Sequence, residues 1–543
     1  MRKFNPLLTL ALVTLSLFSV IYLFHPGLPL THDGQDHVAR IANFYQNLAE
    51  GNLIPRWAGN LNWGYGHPIL EFLYPLPSYL ASFFHLLGFS LVASAKVVFV
   101  LGMVLSLFFM YLWLAEFLSL VPALFGSALY VYAPYRFVET YVRGDIGENL
   151  AFVFIPLILL FIHKLHKKTD YKFSVSGGIF LALLILAHNA ISLMFLPFIL
   201  AYGVLLYYSS KDRKFYLKSL IFLILLGFGL AAFFWIPGIL EGKYTLRDIV
   251  TKGGYLGRFV SVKQLFYGQW NYGGTGQFTV QLGIFQWIGL ILSPVAGFLF
   301  FRKKDKNYFL VMISVLYTLA AVFLMLPVSS LLWAKIMLLQ NFQFPWRFLA
   351  ITVFSTAVLG ALLLQVFPKK IQLYLAVIFI AIILFIGKDY IKPKDYLYRP
   401  ESFYTGIYSG TTDTGESSPV WSVRFMEHRP KAHLEVLDGA AFVTEIKRTS
   451  IYHAYTVKVS RRTLFAENTL FFPGWRILAN GQPLNIQFQD QHYHGIMTFF
   501  LDQGSYRIEA IYGETKLRRF ADAISFISLI FLLGFAGFRI VKK

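Results

Sequence analysis

Residues 68–88 read PILEFLYPLPSYLASFFHLLG, apolar enough to pass for a membrane-spanning helix yet interrupted by Pro75 and Pro77. A proline in a lipid-facing helix removes a backbone donor where no water can replace it. Counting the stretch as a crossing would also move the downstream basic loops to the wrong side. Leaving it out places Arg2-Lys3, the basic residues between Lys164 and Lys172, those between Lys211 and Lys218, Arg302 to Lys306, Lys369-Lys370 and Lys542-Lys543 on one side. That is the pattern expected when positive loops are retained in the cytoplasm. Residues 68–88 are therefore expected to lie along the outer interface as a juxtamembrane or re-entrant element.

The composition agrees. Of 543 residues, 57% are hydrophobic and only 14% charged, and apolar stretches recur that are long enough to cross a hydrocarbon core of about 30 Å. The first, Pro6 to Phe24, lacks a small-x-small cleavage site and reads as a retained helix. Others lie near residues 91–118, 120–135, 147–163, 173–187, 190–208, 216–236, 281–301, 308–326, 346–367, 370–387 and 521–541. The total is about twelve crossings, with both termini in the cytoplasm. The formal charge of +20 sits largely in the short loops, which assigns it to membrane topology and not to a nucleic-acid partner. Cysteine is absent, which removes disulfides, thiol catalysis and Cys-ligated zinc.

With this topology the outward regions are residues 25–90, the loop from Tyr135 to Glu148, the turn Ala187-His188-Asn189, the loop 238–280, the loop from Ser329 to Arg347, and residues 388–520. The last has alternating polar and apolar runs, Ala454 to Ser460 and Ser505 to Tyr512, and turn signals at Asn480-Gly481 and Gln503-Gly504. These predict a small β-rich domain, a sandwich. The fold class is then a mainly α polytopic membrane protein with an extracytoplasmic β-rich domain. Its parts are a transmembrane domain over 1–387 that carries the outward loop 25–90, the β-rich domain over 388–520, and a final span with a basic tail over 521–543.

Candidate chemistry collects on the outward side. Asp33, Asp36, His37 and Arg40 stand at i, i+3, i+4 and i+7, one face of a helix, with Asp33 and His37 as neighbours. A carboxylate beside an imidazole can take a proton from a hydroxyl or help hold a cation. The other reading makes Asp33 the cap of a helix running to Glu50. Asp145 and Glu148 open a helix, where the dipole favours carboxylates, so they suit either a cap or a site. His188-Asn189 is a polar break between two spans, either a cavity rim or a hairpin turn. Arg56, Arg143 and Arg347 are cations at the interface, and Arg347 begins a span beside Trp346. The loop 238–280 carries Gly253-Gly254, Gly257 and Gly273-Gly274-Thr275-Gly276 among aromatic residues, but no Gly-Lys-Ser/Thr follows. It reads as an aromatic flap or a plain surface loop, not a nucleotide phosphate loop. His492 and His494 share a strand face without a third ligand, and Trp475 suits a sugar platform or the domain core.

The succession Asp33…His37, Glu50-Gly51…Pro55-Arg56-Trp57, Gly64-Tyr65-Gly66…Pro68 and Tyr74-Pro75-Leu76-Pro77 resembles bacterial polytopic proteins labelled 6-pyruvoyl-tetrahydropterin synthase-related. These are relatives of YfhO-like proteins within the GT-C glycosyltransferase superfamily. Gln343-Phe344-Pro345-Trp346-Arg347, and Phe472-Pro473-Gly474-Trp475-Arg476 followed by Asn480-Gly481, extend the likeness over almost the whole chain. No soluble pterin-enzyme domain accompanies it. The resemblance implies a GT-C-like membrane fold and an acidic residue in the first outward loop, matched by Asp33, that acts as general base or as a metal-linked residue. It also implies a sugar donor carried on a polyprenyl phosphate or diphosphate, and it makes Glu148 a second acidic candidate.

Nucleotide sugars are not normally supplied outside the cytoplasm, so such a donor must arrive activated through lipid. The expected reaction moves the sugar to an extracytoplasmic glycan, teichoic-acid-like polymer, lipid or protein. Asp33 is then the base, supported by His37. Asp145, Glu148, His188 and Asn189 contact substrate, and Arg56 and Arg347 receive the carrier phosphate. Mg²⁺ or Mn²⁺, held by Asp33, Asp145 and Glu148, is the cofactor this reading admits. A transporter or flippase of a lipid-linked sugar, or an envelope scaffold, is the competing class. The near absence of ionisable residues within the spans and of an inverted repeat weighs against the transporter.

Overall fold

The computed structural model describes residues 6–273 and 278–541. The basic ends Arg2-Lys3 and Lys542-Lys543, and Gly274-Thr275-Gly276 of the glycine-rich loop, lie outside the described residues. Eight described helical segments are long and apolar enough to cross a membrane: Pro6–Phe24, Leu91–Leu114, Ile146–Lys167, Asn189–Ser209, Ile284–Arg302, Asn307–Met325, Pro345–Gln365 and Lys369–Gly387. The pair Arg213–Leu230 and Ala232–Leu240, bent by 69°, brings the number to nine if it is one span. Leu120–Val131 and Tyr171–Ala187 are apolar but shorter, and Lys516–Val541 closes the chain. A 12-residue helix is about 18 Å long, little more than half a hydrocarbon core. Leu120–Val131 tolerates that length because most of it is buried among longer neighbours. Length and apolarity thus support eight or nine of the roughly twelve segments that hydropathy picks out.

Residues 68–88 behave as their prolines require. The chain forms one turn, Ile69–Phe72, breaks through Leu73 and Pro75, and restarts as Leu76–Leu86. Eleven residues give about 16 Å, too little for a crossing. Ala81 and Ser82 face the protein, whereas Phe83, Leu86 and Leu87 are exposed, the division expected of an interfacial helix.

Burial within the bundle is uneven. In Ile146–Lys167, 94% of the apolar stretch is inside the protein, and in Pro345–Gln365, 89%; the other seven candidates, Lys369–Gly387 among them at 22%, are far less buried or bent. These two shielded helices are the ones that begin at Asp145 and Trp346-Arg347. Their N-terminal ends are therefore where polar groups can be held away from both lipid and water.

The β domain is one antiparallel sheet, not the expected sandwich. Its strands are β3 (Leu434–Arg448), β4 (Tyr452–Leu470), β5 (Trp475–Ala479), β6 (Gln482–Pro483), β7 (Ile496–Leu501) and β8 (Gly504–Tyr512), ordered β3-β4-β8-β5-β6 with β7 also on β4. The long β4 explains this: its first half pairs with β8 and its second with β7, while β3 runs along the whole of it. Register shifts in β3 near Asp438, Ala440 and Lys447 bend the pair, as bulges do. The core of this domain includes Trp57 and Tyr65 from the first loop. Trp57 packs edge-on against Trp475 at 5.5 Å and lies 5.5 Å from Tyr512, which places Trp475 in the core and not on a sugar-binding surface.

The last helix is pinned to this junction by buried charge. Arg518 lies 3.0 Å from Glu71 Oε2 and 2.6 Å from Glu241 Oε2, fully buried, with its guanidinium over Tyr512 and Phe472. Arg518→Met would leave the two carboxylates without their cation, which costs about 3–5 kcal/mol. The expected outcome is a clear drop in the thermal midpoint of the detergent-purified protein, with no drop for Arg519→Met, since Arg519 is exposed.

Candidate active site

The site is assembled by docking the first loop onto the second. A two-residue ribbon, β1 (Leu28–Pro29) on β2 (Tyr396–Leu397), anchors the start of the first loop. The chain then runs beside residues 142–144, where the N–H of His32 donates to Val142 O at 2.9 Å and that of Asp33 to Arg143 O at 2.8 Å. Gly144 makes this approach possible: its φ is +74°, and a Cβ there would lie 2.3 Å from Thr31 Oγ1. Thr31 Oγ1 accepts from the N–H of Gly34 at 3.1 Å. Thr31 thus supplies a hydrogen bond at the start of the helix Gly34–Ala49, and Asp33 does not.

Asp33 stands at the N-cap position of this helix. Its side chain makes no capping bond and, among the described residues, no other hydrogen bond. Burial pushes its pKa above the ordinary value, Arg143 opposing and Asp145 and Asp36 reinforcing the rise. His37 does not support it directly. Its Nδ1 accepts from Arg40 Nη1 at 2.9 Å, and burial, aided by Arg40, lowers its pKa to about 3. It is a neutral imidazole with its proton on Nε2. Arg40 in turn holds Thr412 of the segment leading to the β domain, and Asp36 accepts from Tyr408 of the same segment at 2.6 Å.

The second loop contributes a buried ionic cluster. Val138–Arg143 is a widened, π-type turn, a form often found at functional sites. Arg143 reaches Glu139 at 2.7 Å, Asp145 Oδ2 at 3.1 Å and Glu148 Oε2 at 3.1 Å, with Trp346 on its face at 4.7 Å. Asp145 Oδ1 accepts from the N–H of Glu148 at 2.9 Å and from the Tyr74 hydroxyl at 3.0 Å. Burial alone would raise the Asp145 pKa, but Arg143 holds it well below the carboxylate range. Glu148 Oε1 accepts from the Tyr135 hydroxyl at 2.8 Å. His188 stacks on Tyr74 at 4.7 Å and places Nε2 3.8 Å from Asp145 Oδ2. Gly147 leaves room for that tyrosine, since a Cβ there would lie 2.1 Å from its ring.

Cationic groups border the cluster. Arg347 Nε is buried 3.7 Å from Glu148 Oε2 and has no hydrogen-bond partner among the described residues. Arg347 and Arg258 both lie over the Phe344 ring, at 5.3 and 4.5 Å. Phe344 stacks on Trp346 at 4.9 Å, and Phe278 meets Trp346 edge-on at 4.8 Å. His32 Nε2 bonds Tyr272 O at 2.8 Å. The loop 238–280 is therefore anchored at the rim of the site through its aromatic residues.

Of the residues expected from sequence, Asp33, His37, Asp145, Glu148, His188 and Arg347 come together here. Two do not. Arg56 is committed elsewhere, to Glu514 at 3.1 Å, Asp522 at 2.7 Å and Phe233 O at 3.1 Å, so its charge is spent on fastening the last helix. Asn189 is exposed, its side chain bonded only to the N–H of Ala190 at 2.9 Å. Among the described residues, the three side chains whose donor atoms lie within 4.8 Å of one another are Asp145, Glu148 and His188, so His188 takes the place expected for Asp33. Tyr74, Tyr135, Glu139 and Arg258 carry no sequence signal that separates them from structural residues. Tyr408 stands 372 positions from its partner Asp36.

Residues 70–390, more than half of the chain, match the family described as 6-pyruvoyl-tetrahydropterin synthase related domain, a membrane protein. The protein belongs to this family. An uncharacterized protein of Lactococcus lactis subsp. cremoris (strain MG1363) is 25% identical over 327 residues, 56% of this chain and 50% of its own length. This chain thus spans about half of that relative. Among solved structures, the apo Archaeoglobus fulgidus oligosaccharyltransferase is similar with a TM-score of 0.43 and 14% identity, covering 76% of this chain and 61% of that one. The arabinofuranosyltransferase AftD from Mycobacteria is similar with a TM-score of 0.48 and 12% identity, covering 72% and 26%. ArnT from Cupriavidus metallidurans bound to undecaprenyl phosphate gives 0.38 and 13%, covering 73% and 67%.

Because the loop contact at Gly144 combines a left-handed backbone with a close approach, Gly144→Ala should cost about 1–2 kcal/mol from the backbone alone. The clash with Thr31 adds to this. Gly257 has a similar φ of +71°, and a Cβ there would have nothing within 4 Å, so Gly257→Ala isolates the backbone part. Hydrogen exchange of the His32 and Asp33 amides should accelerate in Gly144→Ala and stay unchanged in Gly257→Ala.

Proposed function

We propose that the protein is a membrane glycosyltransferase that moves a sugar from a polyprenyl-phosphate-linked donor to an acceptor hydroxyl on the side of the membrane carrying the β domain, the extracytoplasmic side. The observation that carries this reading is the contrast among neighbouring carboxylates. Asp145 and Glu148 are saturated by hydrogen bonds and ion pairs, whereas the Asp33 carboxylate beside them is left without a hydrogen bond and with a raised pKa. A general base needs a free lone pair and a pKa closer to the working pH than that of an exposed carboxylate. The resemblance of the sequence to GT-C proteins assigns this role to the same residue.

In the proposed step the acceptor oxygen attacks the anomeric carbon while Asp33 takes its proton. The bond from that carbon to the phosphate oxygen breaks, and the electron pair leaves with the polyprenyl phosphate. Charge develops on the phosphate as the bond breaks, so pre-placed cations at that point lower the barrier. Arg347, with a buried donor unused, and Arg258 beside it on Phe344 are the residues suited to receive it. Their guanidinium groups offer paired donors to phosphate oxygens. The shielded helix ends limit the access of bulk water as a competing acceptor.

The test is release of bare carrier from a panel of polyprenyl-phosphate sugars by the purified protein in lipid. Asp33→Asn should lower kcat by about 100-fold or more while donor binding persists. Carrier release equal to wild type would remove Asp33 from the mechanism, and passage of intact lipid-linked sugar without release would favour a transporter. The active form is the ionised carboxylate, whose folded pKa lies above 3.8. Activity is therefore retained at higher pH and lost as pH falls through that raised value, so the acid limb of kcat/KM should sit above the ordinary aspartate range. Arg347→Gln and Arg258→Gln should each raise the donor KM by about tenfold, as loss of a charge-assisted phosphate contact does. An unchanged KM in both would place the phosphate elsewhere.

A further inference from the structure

Asp145, Glu148 and His188 form a donor set of two carboxylates and an imidazole within 4.8 Å, which in ligand type would suit a first-row divalent ion. Two features of this chain occupy those positions differently. The first is Arg143. Its Nη1 contacts both oxygens of Glu139 at 2.7 Å and Glu148 Oε2 at 3.1 Å, and its Nη2 contacts Asp145 Oδ2 at 3.1 Å. Trp346 covers its face at 4.7 Å, so the guanidinium is held by three carboxylates and an aromatic ring. A metal ion drawing on Asp145 and Glu148 would share their oxygens with a second cation, in a region where water screens poorly.

The second feature is the proton on His188. A metal-bound imidazole uses one nitrogen as ligand and typically donates the N–H of the other to an oxygen. In this chain His188 Nδ1 instead accepts the N–H of Ile191 at 3.2 Å, capping the helix Asn189–Ser209. Nδ1 is therefore unprotonated, and the neutral ring carries its proton on Nε2, the nitrogen that faces Asp145 Oδ2 at 3.8 Å. Ligation through Nε2 would have to expel that proton to leave an imidazolate. Ligation through Nδ1 would break the cap. The donor set is thus complete in its residue types but unsuited in its charge and protonation.

We propose that Arg143 is the resident cation of this site, a positioning residue that holds Asp145 and Glu148 beside Asp33, and that the protein organises its acidic cluster without a divalent metal ion. The guanidinium fits the task for reasons of chemistry. It stays protonated at any working pH and its planar fork fixes several carboxylates at once, which a compact ammonium would not. Trp346 couples this fork to the next residue, Arg347, so the frame around Asp33 and the cation awaiting an anion belong to one packed unit. This rests on placing the chemistry at Asp33, but metal occupancy can be measured without any turnover.

Full-length protein, stripped with EDTA in detergent, is titrated with Mn²⁺ alone, and bound ion is read from the loss of the free-ion paramagnetic signal. Wild type should bind no stoichiometric Mn²⁺, and equilibration with Zn²⁺ followed by elemental analysis should leave none at this site. Arg143→Gln uncovers Asp145 and Glu148 and should bind Mn²⁺ at least about tenfold more tightly than wild type. Adding Glu148→Gln should abolish the gain, a result that a purely structural Arg143 would not produce. One tight equivalent in wild type, lost in Asp145→Asn or His188→Ala, overturns the proposal. Arg143→Lys keeps the charge without the fork and should remain metal-free; a stoichiometric ion there would also count against it. If Arg143→Gln does not fold, the wild-type and Arg143→Lys titrations decide. A protein that binds no metal and releases no carrier would keep this inference and refute the glycosyl-transfer reading instead.

Discussion

A guanidinium does not surrender its proton inside a protein, so Arg143, once buried, must be met by carboxylates or destabilise the fold by several kcal/mol. Much of the architecture satisfies that demand. Glu139 stands one turn earlier, Asp145 and Glu148 follow immediately, and Trp346 arrives from a helix about 200 positions further along the chain. The π-type turn and the left-handed Gly144 bring these groups around one cation within a short stretch of chain. The carboxylates in turn use tyrosine hydroxyls and a helix-end amide to complete their hydrogen bonds. Such a cluster tolerates no lipid contact, which accounts for its place at the ends of the two most shielded helices.

The β domain and the first loop share this task. Trp57 and Tyr65 belong to the core of the sheet although they precede it by roughly 400 residues, so the sheet cannot be regarded as packed independently of the loop. The segment between the last full span and the sheet is laced to the first loop by main-chain bonds, Asn62 N–H to Gly410 O at 2.8 Å and Trp63 N–H to Tyr408 O at 3.0 Å. Tyr408 and Thr412 then reach Asp36 and Arg40. The segment leading to the sheet and the first loop are thus connected through the helix that carries His37.

Within this frame the acidic groups divide. Those that are fully engaged give the site its shape, and Asp33, whose side chain makes no capping bond and among the described residues no other hydrogen bond, is the one the proposed mechanism uses as base. The same distinction separates the arginines. Arg143 is held by three carboxylates, Arg518 by Glu71 and Glu241, and Arg56 is consumed at the last helix, whereas Arg347 meets Glu148 only at 3.7 Å and bonds Phe342 O at 3.1 Å. Hydrogen-bond allocation, more than residue type, distinguishes roles among chemically identical side chains.

The arrangement of apolar stretches, the prolines that stop 68–88 from crossing, and the alternation that makes 434–512 a sheet were all legible in the sequence, because each depends on residues close together in the chain. The collection of Asp33, Asp145, Glu148 and Arg347 was legible too, since all flank membrane spans and topology limits where such ends can meet. Only the tertiary structure decided that Asp33 makes no capping bond, that Arg56 is spent on Glu514 and Asp522, that His188 and not Asp33 completes the donor set, and that β4 joins one sheet in place of two. Each of those outcomes turns on which distant partner claims a given hydrogen bond, and strands, loops and side chains separated by tens to hundreds of residues compete for those bonds only once the chain has packed.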